Sequence, residues 1–345
     1  MTLKIRRIIY MLFILAFFII TPIVIFYAAG YKINLKGAKI QKTGTFILDT
    51  KPDGAKIYID SKPQQTFLKK YFANEKSFIK TPAKIKNLLP GEYNLKMELD
   101  GYFAWEKKLK IKEGQSTYAE NIYLFKKNLP ALIEENEKNE ILKQLIDDNL
   151  ATSTFEKDKK IYEIEKSINL TNLKITDSTS KKLIKSIELP GSNYEFINRD
   201  HKFLNIFDKN HDILYLIDPF SSVYSPLRET INNIKLSYWV DDEKLLYAND
   251  FEIWIFDLKN NKKILLTRIS EPIEKIIWHP GDNYVIYNAG NSIKIIELDE
   301  REKRNIIELI KLNKISSLYL NKKGDTLYFN AIINKQEGFY KLEIN

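Results

Sequence analysis

Three histidines, His201, His211 and His279, are the side chains of this chain best suited to metal binding or to proton transfer near neutral pH. His201 and His211 lie ten residues apart and His279 far beyond them, so none of the usual metal-ligand spacings is present. The acidic runs Asp241-Asp242-Glu243 and Asp147-Asp148 read as solvated turn or helix carboxylates. The chain has no cysteine, which excludes disulfides, thiolate zinc sites, cysteine nucleophiles and iron–sulfur clusters. No GxSxG, SxxK, HExxH, P-loop or GxGxxG pattern occurs. These residues therefore point to no catalytic group, no metal and no cofactor, and to a binding or structural role for the elements that carry them.

Those elements begin with a charge gradient. The 345 residues carry a formal charge of +9, which invites a nucleic-acid reading. Residues 1–48 hold Lys4, Arg6, Arg7, Lys32, Lys36, Lys39 and Lys42 and no acid, for +7; residues 49–127 carry +6 and residues 128–345 carry −4. The positive charge is thus concentrated at the N-terminus, the long C-terminal region is slightly acidic, and no nucleic-acid partner is expected.

Ile8 to Ala29 is a run of 22 uncharged residues interrupted only by Thr21 and Pro22. As a helix rising about 1.5 Å per residue it would cross a hydrocarbon core of about 30 Å. A cleaved signal peptide is the nearest rival, with Ala28 and Gly30 as a small-residue pair, but its apolar stretch is usually shorter. We read an uncleaved signal anchor. Arg6 and Arg7 argue for a cytoplasmic N-terminus, whereas Lys32, Lys36, Lys39 and Lys42 argue the reverse; the very short N-terminal tail favours N-in, with the bulk of the chain extracytoplasmic.

Residues 44–127 alternate as strands. Phe46/Leu48, Ile57/Ile59, Tyr93/Leu95/Met97/Leu99 and Trp105/Leu109/Ile111 keep period two, with Lys107 as the exception, and Tyr118, Ile122 and Leu124 close the series. An antiparallel sandwich is expected, with turns at Pro52-Asp53-Gly54, Pro90-Gly91, Asp100-Gly101 and Glu113-Gly114. Pro52-Asp53-Gly54-Ala55 with the strand Lys56–Asp60, then Thr81-Pro82, Leu89-Pro90-Gly91-Glu92-Tyr93 and Asp100-Gly101-Tyr102 with Trp105, resembles the PEGA domain family in order and spacing, with Asp53 in the Glu place. The resemblance implies a small β-sandwich of surface-exposed or membrane-anchored proteins, without catalysis. Its turn residues Pro52, Gly54, Ala55, Pro82, Pro90, Gly91, Gly101 and Tyr102 are read as structural, with Gly54, Gly91 and Gly101 supplying positive φ and Trp105 and Tyr102 in the core.

One stretch departs from that family. Between Asp60 and Thr81 a loop of about 20 residues carries Phe67, Tyr71, Phe72 and Phe78 among Lys69, Lys70, Lys76 and Lys80. Phe67, Lys69, Lys70, Tyr71, Phe72 and Phe78 form a candidate partner-binding loop; a flap packed on its own domain is the equal alternative.

Leu129 to Asn149 reads as an amphipathic helix. Beyond Thr152 strands recur: Trp239 and Trp278 are 39 apart and Tyr319 follows 41 later, each before a turn and two further strands. A period of about 40 marks propeller blades. The turn Trp278-His279-Pro280-Gly281-Asp282 is similar to the TolB-type and WD-repeat propellers. We count about five repeats, enough to close a ring if the Phe155 region completes the last blade; an open, incomplete array is the alternative. The expected organisation is a membrane anchor over 1–30, a linker over 31–43, a PEGA-like sandwich over 44–127, a helical linker over 128–150 and propeller-like repeats over 151–345. The fold class is mainly β. The expected function is a non-catalytic membrane-anchored envelope protein that binds or scaffolds a protein or cell-wall glycan. A propeller-borne glycosidase or lyase, whose carboxylates would meet only in the fold, and a cytoplasm-facing scaffold are the alternatives.

Overall fold

The computed structural model describes residues 3–34, 39–65, 78–145, 151–166, 170–198, 200–221 and 225–345. The chain divides into two compact units: Met1–Asn128 with Asp299–Asn305 and Ile344–Asn345, and Leu129–Leu298 with Ile306–Glu343. Both are discontinuous in sequence.

The first unit opens with helix α1 (Leu3–Ala28), which includes Pro22 and buries none of its side chains. Its mean hydropathy of 2.9 makes it long and apolar enough to cross a membrane. A hairpin of β1 (Tyr31–Asn34) and β2 (Lys39–Lys42) follows. The sandwich is built from β3 (Gly44–Lys51), β4 (Lys56–Ile59), β5 (Lys62–Pro63), β6 (Ala83–Leu88), β7 (Gly91–Glu98), β8 (Trp105–Ile111) and β9 (Ser116–Tyr123). One sheet has the order β6-β3-β9 and the other β5-β4-β7-β8. The inward residues Phe46, Leu48, Ile57, Leu95, Met97, Trp105, Leu109 and Ile111 form a single core, each large apolar side chain contributing about 2 kcal/mol by leaving water. The sheets are not wholly antiparallel: β3 runs parallel to β9, from Thr45 opposite Ser116 to Lys51 opposite Tyr123. Alternation is the same for either direction, so periodicity could not have distinguished them.

Lys107 is no exception to the alternation of β8. Its side chain faces inward like Trp105 and Leu109 and is fully buried. Its Nζ donates to the Asp299 carbonyl at 2.8 Å, lies 3.4 Å from Asp299 Oδ2, and sits 5.8 Å from the Trp105 ring centre. Arg301 forks onto the same carboxylate, with Nε and Nη2 at 2.9 and 2.6 Å. Burial pushes the Asp299 pKa up, but the hydrogen bonds from Arg301 and the nearby Lys107 charge outweigh it and hold the carboxyl below its ordinary value. Nη1 of Arg301 donates to the Tyr118 carbonyl on β9, and the Lys108 N–H of β8 donates to Glu302 Oε2. Asp299–Glu302 thereby satisfies backbone groups on strands that end their respective sheets, where unpaired edges invite unwanted pairing.

Among the described residues the second unit has five four-stranded sheets, each antiparallel. The first is β11–β14 (Thr154–Lys157, Lys160–Lys166, Thr171–Asp177, Leu183–Leu189). The second is β15–β18 (Tyr194–Ile197, Leu204–Asp208, Ile213–Ile217, Leu227–Ile231). The third is β19–β22 (Leu236–Trp239, Lys244–Ala248, Glu252–Asp257, Lys262–Arg268), and the fourth β23–β26 (Ile273–Trp278, Tyr284–Ala289, Ser292–Glu297, Ile306–Lys311). The fifth joins β27 (Ile315–Leu320), β28 (Thr326–Ile333) and β29 (Gln336–Glu343) to β10 (Ala131–Leu132). Middle strands such as β24 are buried on both faces, and outer strands such as β14 are largely exposed, the gradation expected of propeller blades.

Two expectations about this unit are corrected. The Phe155 region does not complete the last blade. It opens the first, where Phe155 packs on Tyr162 and Phe196 with ring centres 5.0 and 4.8 Å away. The last blade is completed instead by β10, pairing Ala131 with Lys341 and Leu132 with Tyr340. Accordingly the helix expected over 129–149 starts only at Glu135, as α2 (Glu135–Leu145). Pro130 cannot donate a helical hydrogen bond and biases Leu129 towards extended backbone, and the open edge of β29 takes the residues that follow. Asp147 and Asp148 lie outside the described residues.

Candidate functional site

The motif residues of the sandwich gather mostly at one end. Gly54 and Gly101 have φ of +93° and +85° as expected, and the Lys51–Pro52 and Thr81–Pro82 peptides are cis. The two turns are bound together by buried hydroxyls. Thr50 Oγ1 donates to the Pro52 carbonyl, Thr81 Oγ1 donates to Thr50 Oγ1 at 2.5 Å, and Thr81 Oγ1 accepts the N–H of buried Ala55 at 3.0 Å. Every member of that chain has a partner, as a buried polar network requires. Tyr102 packs half-buried against the core. Gly91 corrects an expectation: it begins β7 without positive φ, because the chain enters the strand directly after Pro90.

Of the loop residues singled out, Phe67, Lys69, Lys70, Tyr71 and Phe72 lie outside the described residues. Phe78 lies at the base of the insertion, bridged to Gln65, with the Lys56 ammonium 5.8 Å from its ring centre.

The histidines are placed by the blades. His201 follows β15 and stacks on Trp239 of the next blade at 3.5 Å. Its Nδ1 accepts the Phe203 N–H, so Nε2 carries the proton and faces the Asp242 carbonyl at 3.2 Å. His279, fully buried after β23, repeats this. Nδ1 accepts the Gly281 N–H at 3.0 Å and Nε2 donates to the Gly324 carbonyl of the fifth blade at 2.9 Å. Both neutral imidazoles bracket one blade to the next. Sequence spacing hides this, since each partner is a backbone carbonyl 41 or 45 residues away. His211 is exposed and bonds the buried Asp208 carboxylate through Nδ1 at 2.8 Å. Among the described residues no group of three or more His, Asp or Glu could hold a metal ion.

Beside the His201 bracket lies a cleft of about 300 Å³, lined by Asn198, Asp200, His201, Tyr238, Trp239, Asp241 and Asp242. Trp239 is fixed by its Nε1–H bond to Asn205 Oδ1 at 2.9 Å. Asp241 caps the turn through the Glu243 N–H at 2.8 Å. The cleft thus presents aromatic surface and carboxylates on well-anchored turns.

Burial, above all, holds the His201 pKa below its ordinary value, against the opposing pull of Asp242. A depressed histidine favours the folded state while neutral, and that contribution is lost as pH falls below the ordinary value through the depressed one. The wild type is therefore expected to lose melting temperature from pH 7 to pH 5 more steeply than His201→Gln. Parallel slopes for the two proteins would show that the bracket does not titrate.

The PEGA domain family matches the chain from residue 73 to residue 126. That span is similar to a PEGA domain. It includes Thr81-Pro82, Leu89–Tyr93, Asp100–Tyr102 and Trp105, and begins after the Pro52–Ala55 turn, which the hydroxyl network nevertheless ties to the PEGA turn at Thr81. No curated protein matches the chain. Among solved structures, it is similar to Hsv2 of Kluyveromyces lactis at 13% identity, over 69% of this chain and 68% of that one, with a TM-score of 0.36. It is also similar to a protein from Lactobacillus plantarum at 9% identity, over 56% and 70%, with a TM-score of 0.38. The β-propeller domain of Cps50 (Swd1) from Myceliophteria thermophila shares 12% identity over 54% and 64%, with a TM-score of 0.35. The propeller-like architecture of the second unit rests on the sheet order described above.

Proposed function

We propose that this chain is a non-catalytic, single-pass membrane protein of the cell envelope, with its N-terminus cytoplasmic and its two units outside. It binds or scaffolds a protein or glycan partner. The observation that carries the reading is the cleft at Tyr238 and Trp239, where aromatic surface stands beside the carboxylates of Asp200, Asp241 and Asp242. Aromatic faces with a few polar groups suit recognition of sugars and of protein side chains. The His201 imidazole in the cleft supports it: it is committed to backbone groups at both nitrogens and is not free to exchange protons with a substrate.

The test uses the full chain in nanodiscs against envelope extract and glycan arrays. Retention of a partner is expected, falling at least about tenfold in Tyr238→Ala/Asp242→Asn, which removes cleft-lining groups from a surface turn. Equal retention by the variant would remove the cleft from the reading, and no retained partner would leave only a spacer role. Protease added to intact spheroplasts is expected to digest both units; full protection until lysis reverses the orientation.

A further inference from the structure

Basic residues flank both ends of α1, so the charge distribution that usually orients a span acts against itself here: Arg6 and Arg7 precede the apolar run, and Lys32, Lys39 and Lys42 follow it. The structure gives the second set a definite place. Gly30, at φ +82°, ends the helix, and its carbonyl accepts both the N–H and the hydroxyl of Thr43 at 2.7 Å. Asn87 at the end of β6 donates to the Tyr27 hydroxyl at 3.0 Å and accepts from Lys32 Nζ at 3.3 Å. The Phe26 and Tyr31 rings meet edge to face at 5.9 Å. The β1–β2 hairpin and one end of the sandwich are therefore fastened to the last turn of the span.

The hairpin has four residues per strand, so it reaches about 13 Å from the helix exit, close to the screening length of about 10 Å at 0.1 M salt. Lys32, Lys39 and Lys42 are exposed along it, and Ile40 among them is 59% exposed, an apolar side chain on a basic edge. Lys86 neighbours Asn87, and Lys112 neighbours Glu113, whose Oε1 accepts the Lys42 N–H at 3.0 Å. Among the described residues Glu92 and Glu113 are the carboxylates at this end, and the lysines outnumber them.

The geometry points to an anionic-phospholipid collar: Lys32, Lys39 and Lys42, with Ile40 seated at the acyl boundary, bind the headgroups of the leaflet that α1 leaves. Each ammonium near a negative leaflet is attracted to it, and the attraction fades within a screening length. The collar rests on the membrane-anchor reading above, and goes beyond it by naming the lipid chemistry and the residues.

The test places the full chain in nanodiscs of phosphatidylcholine, with or without about one-third phosphatidylglycerol, and follows amine labelling of each lysine by mass spectrometry. Lys32, Lys39 and Lys42 are expected to react at least about threefold more slowly in the anionic discs, and to recover in 0.5 M salt. Lys51 and Lys127, at the opposite end of the sandwich, keep one rate; the eight residues of β3 span about 25 Å, more than two screening lengths. In Lys32→Gln/Lys39→Gln/Lys42→Gln the anionic slowing of Lys86 and Lys112 disappears. Equal rates in both discs, or slowing that survives salt, overturns the collar. Slowing by a soluble anionic polymer in zwitterionic discs, but not by phosphatidylglycerol, overturns it in favour of a wall polymer. Carbonate extraction of native membranes separates the two readings: extraction of the chain ends the anchor reading and the collar with it, whereas retention with equal labelling ends the collar alone.

Discussion

Lys107→Ala is expected to destabilise the first unit by about 3 kcal/mol, among the largest effects of any single substitution outside the apolar core. The change removes an ammonium fully withdrawn from water, leaves a hollow beside Trp105, and takes the donor away from the Asp299 carbonyl. Asp299 keeps its Arg301 fork and some solvent contact, which holds the loss at the lower end of the range for broken buried pairs. Lys107→Met refills the hollow and should cost less than half as much. Hydrogen exchange at the amides of β8 in the full chain reads the effect, because those amides lie under Asp299–Glu302. Exchange rates within about fivefold of wild type for Lys107→Ala would show that the buried ammonium contributes little, since 3 kcal/mol corresponds to more than a hundredfold.

The second large effect is expected at Gly324. At φ +78° only glycine sits without strain, and a methyl group there would lie 2.9 Å from both His279 Nε2 and the Pro280 ring. Neither neighbour can withdraw easily: the imidazole is fully buried and held at both nitrogens, and the proline ring is rigid. Gly324→Ala should therefore cost about 3 kcal/mol, combining left-handed backbone strain with overpacking. The three tryptophans of the second unit, Trp239, Trp254 and Trp278, report its denaturant unfolding. His279→Ala alone removes the bracket, yet in combination with Gly324→Ala it opens space for the new methyl, so the double variant should be less damaged than the two losses added together. Strict additivity would place the strain elsewhere.

Much of this fold was legible in the residues. The apolar run gave α1, period-two alternation gave the sandwich strands, and the recurrence of Trp239, Trp278 and Tyr319 gave the blades. What escaped was set by partners remote in sequence. Lys107 looked like a break in a pattern because its partner Asp299 stands 192 residues later. Ala131–Leu132 is too short for any periodicity to mark, and becomes a strand only because β29 offers an edge. His201 and His279 bond carbonyls, which have no identity in a sequence. The direction of β9 beside β3 is invisible to alternation. The cleft residues Tyr238 and Asp242 carry no motif; only the shared turn position of the second and third blades brings them to His201.

The interleaving of the two units sets an order of events during synthesis. When Asn128 leaves the ribosome every sandwich strand exists, but Asp299, which neutralises Lys107, does not. At 5–20 residues per second the roughly 170 residues between them take about 10–35 s. For that interval the nascent sandwich lacks the Asp299 groups that Lys107 meets in the finished fold and the Arg301 and Glu302 bonds to Tyr118 and Lys108, and β10 waits still longer for β29. A chain truncated before Asp299 is therefore expected to exchange the Lys108 amide faster than the full chain does. The completed chain supplies these groups with its last third.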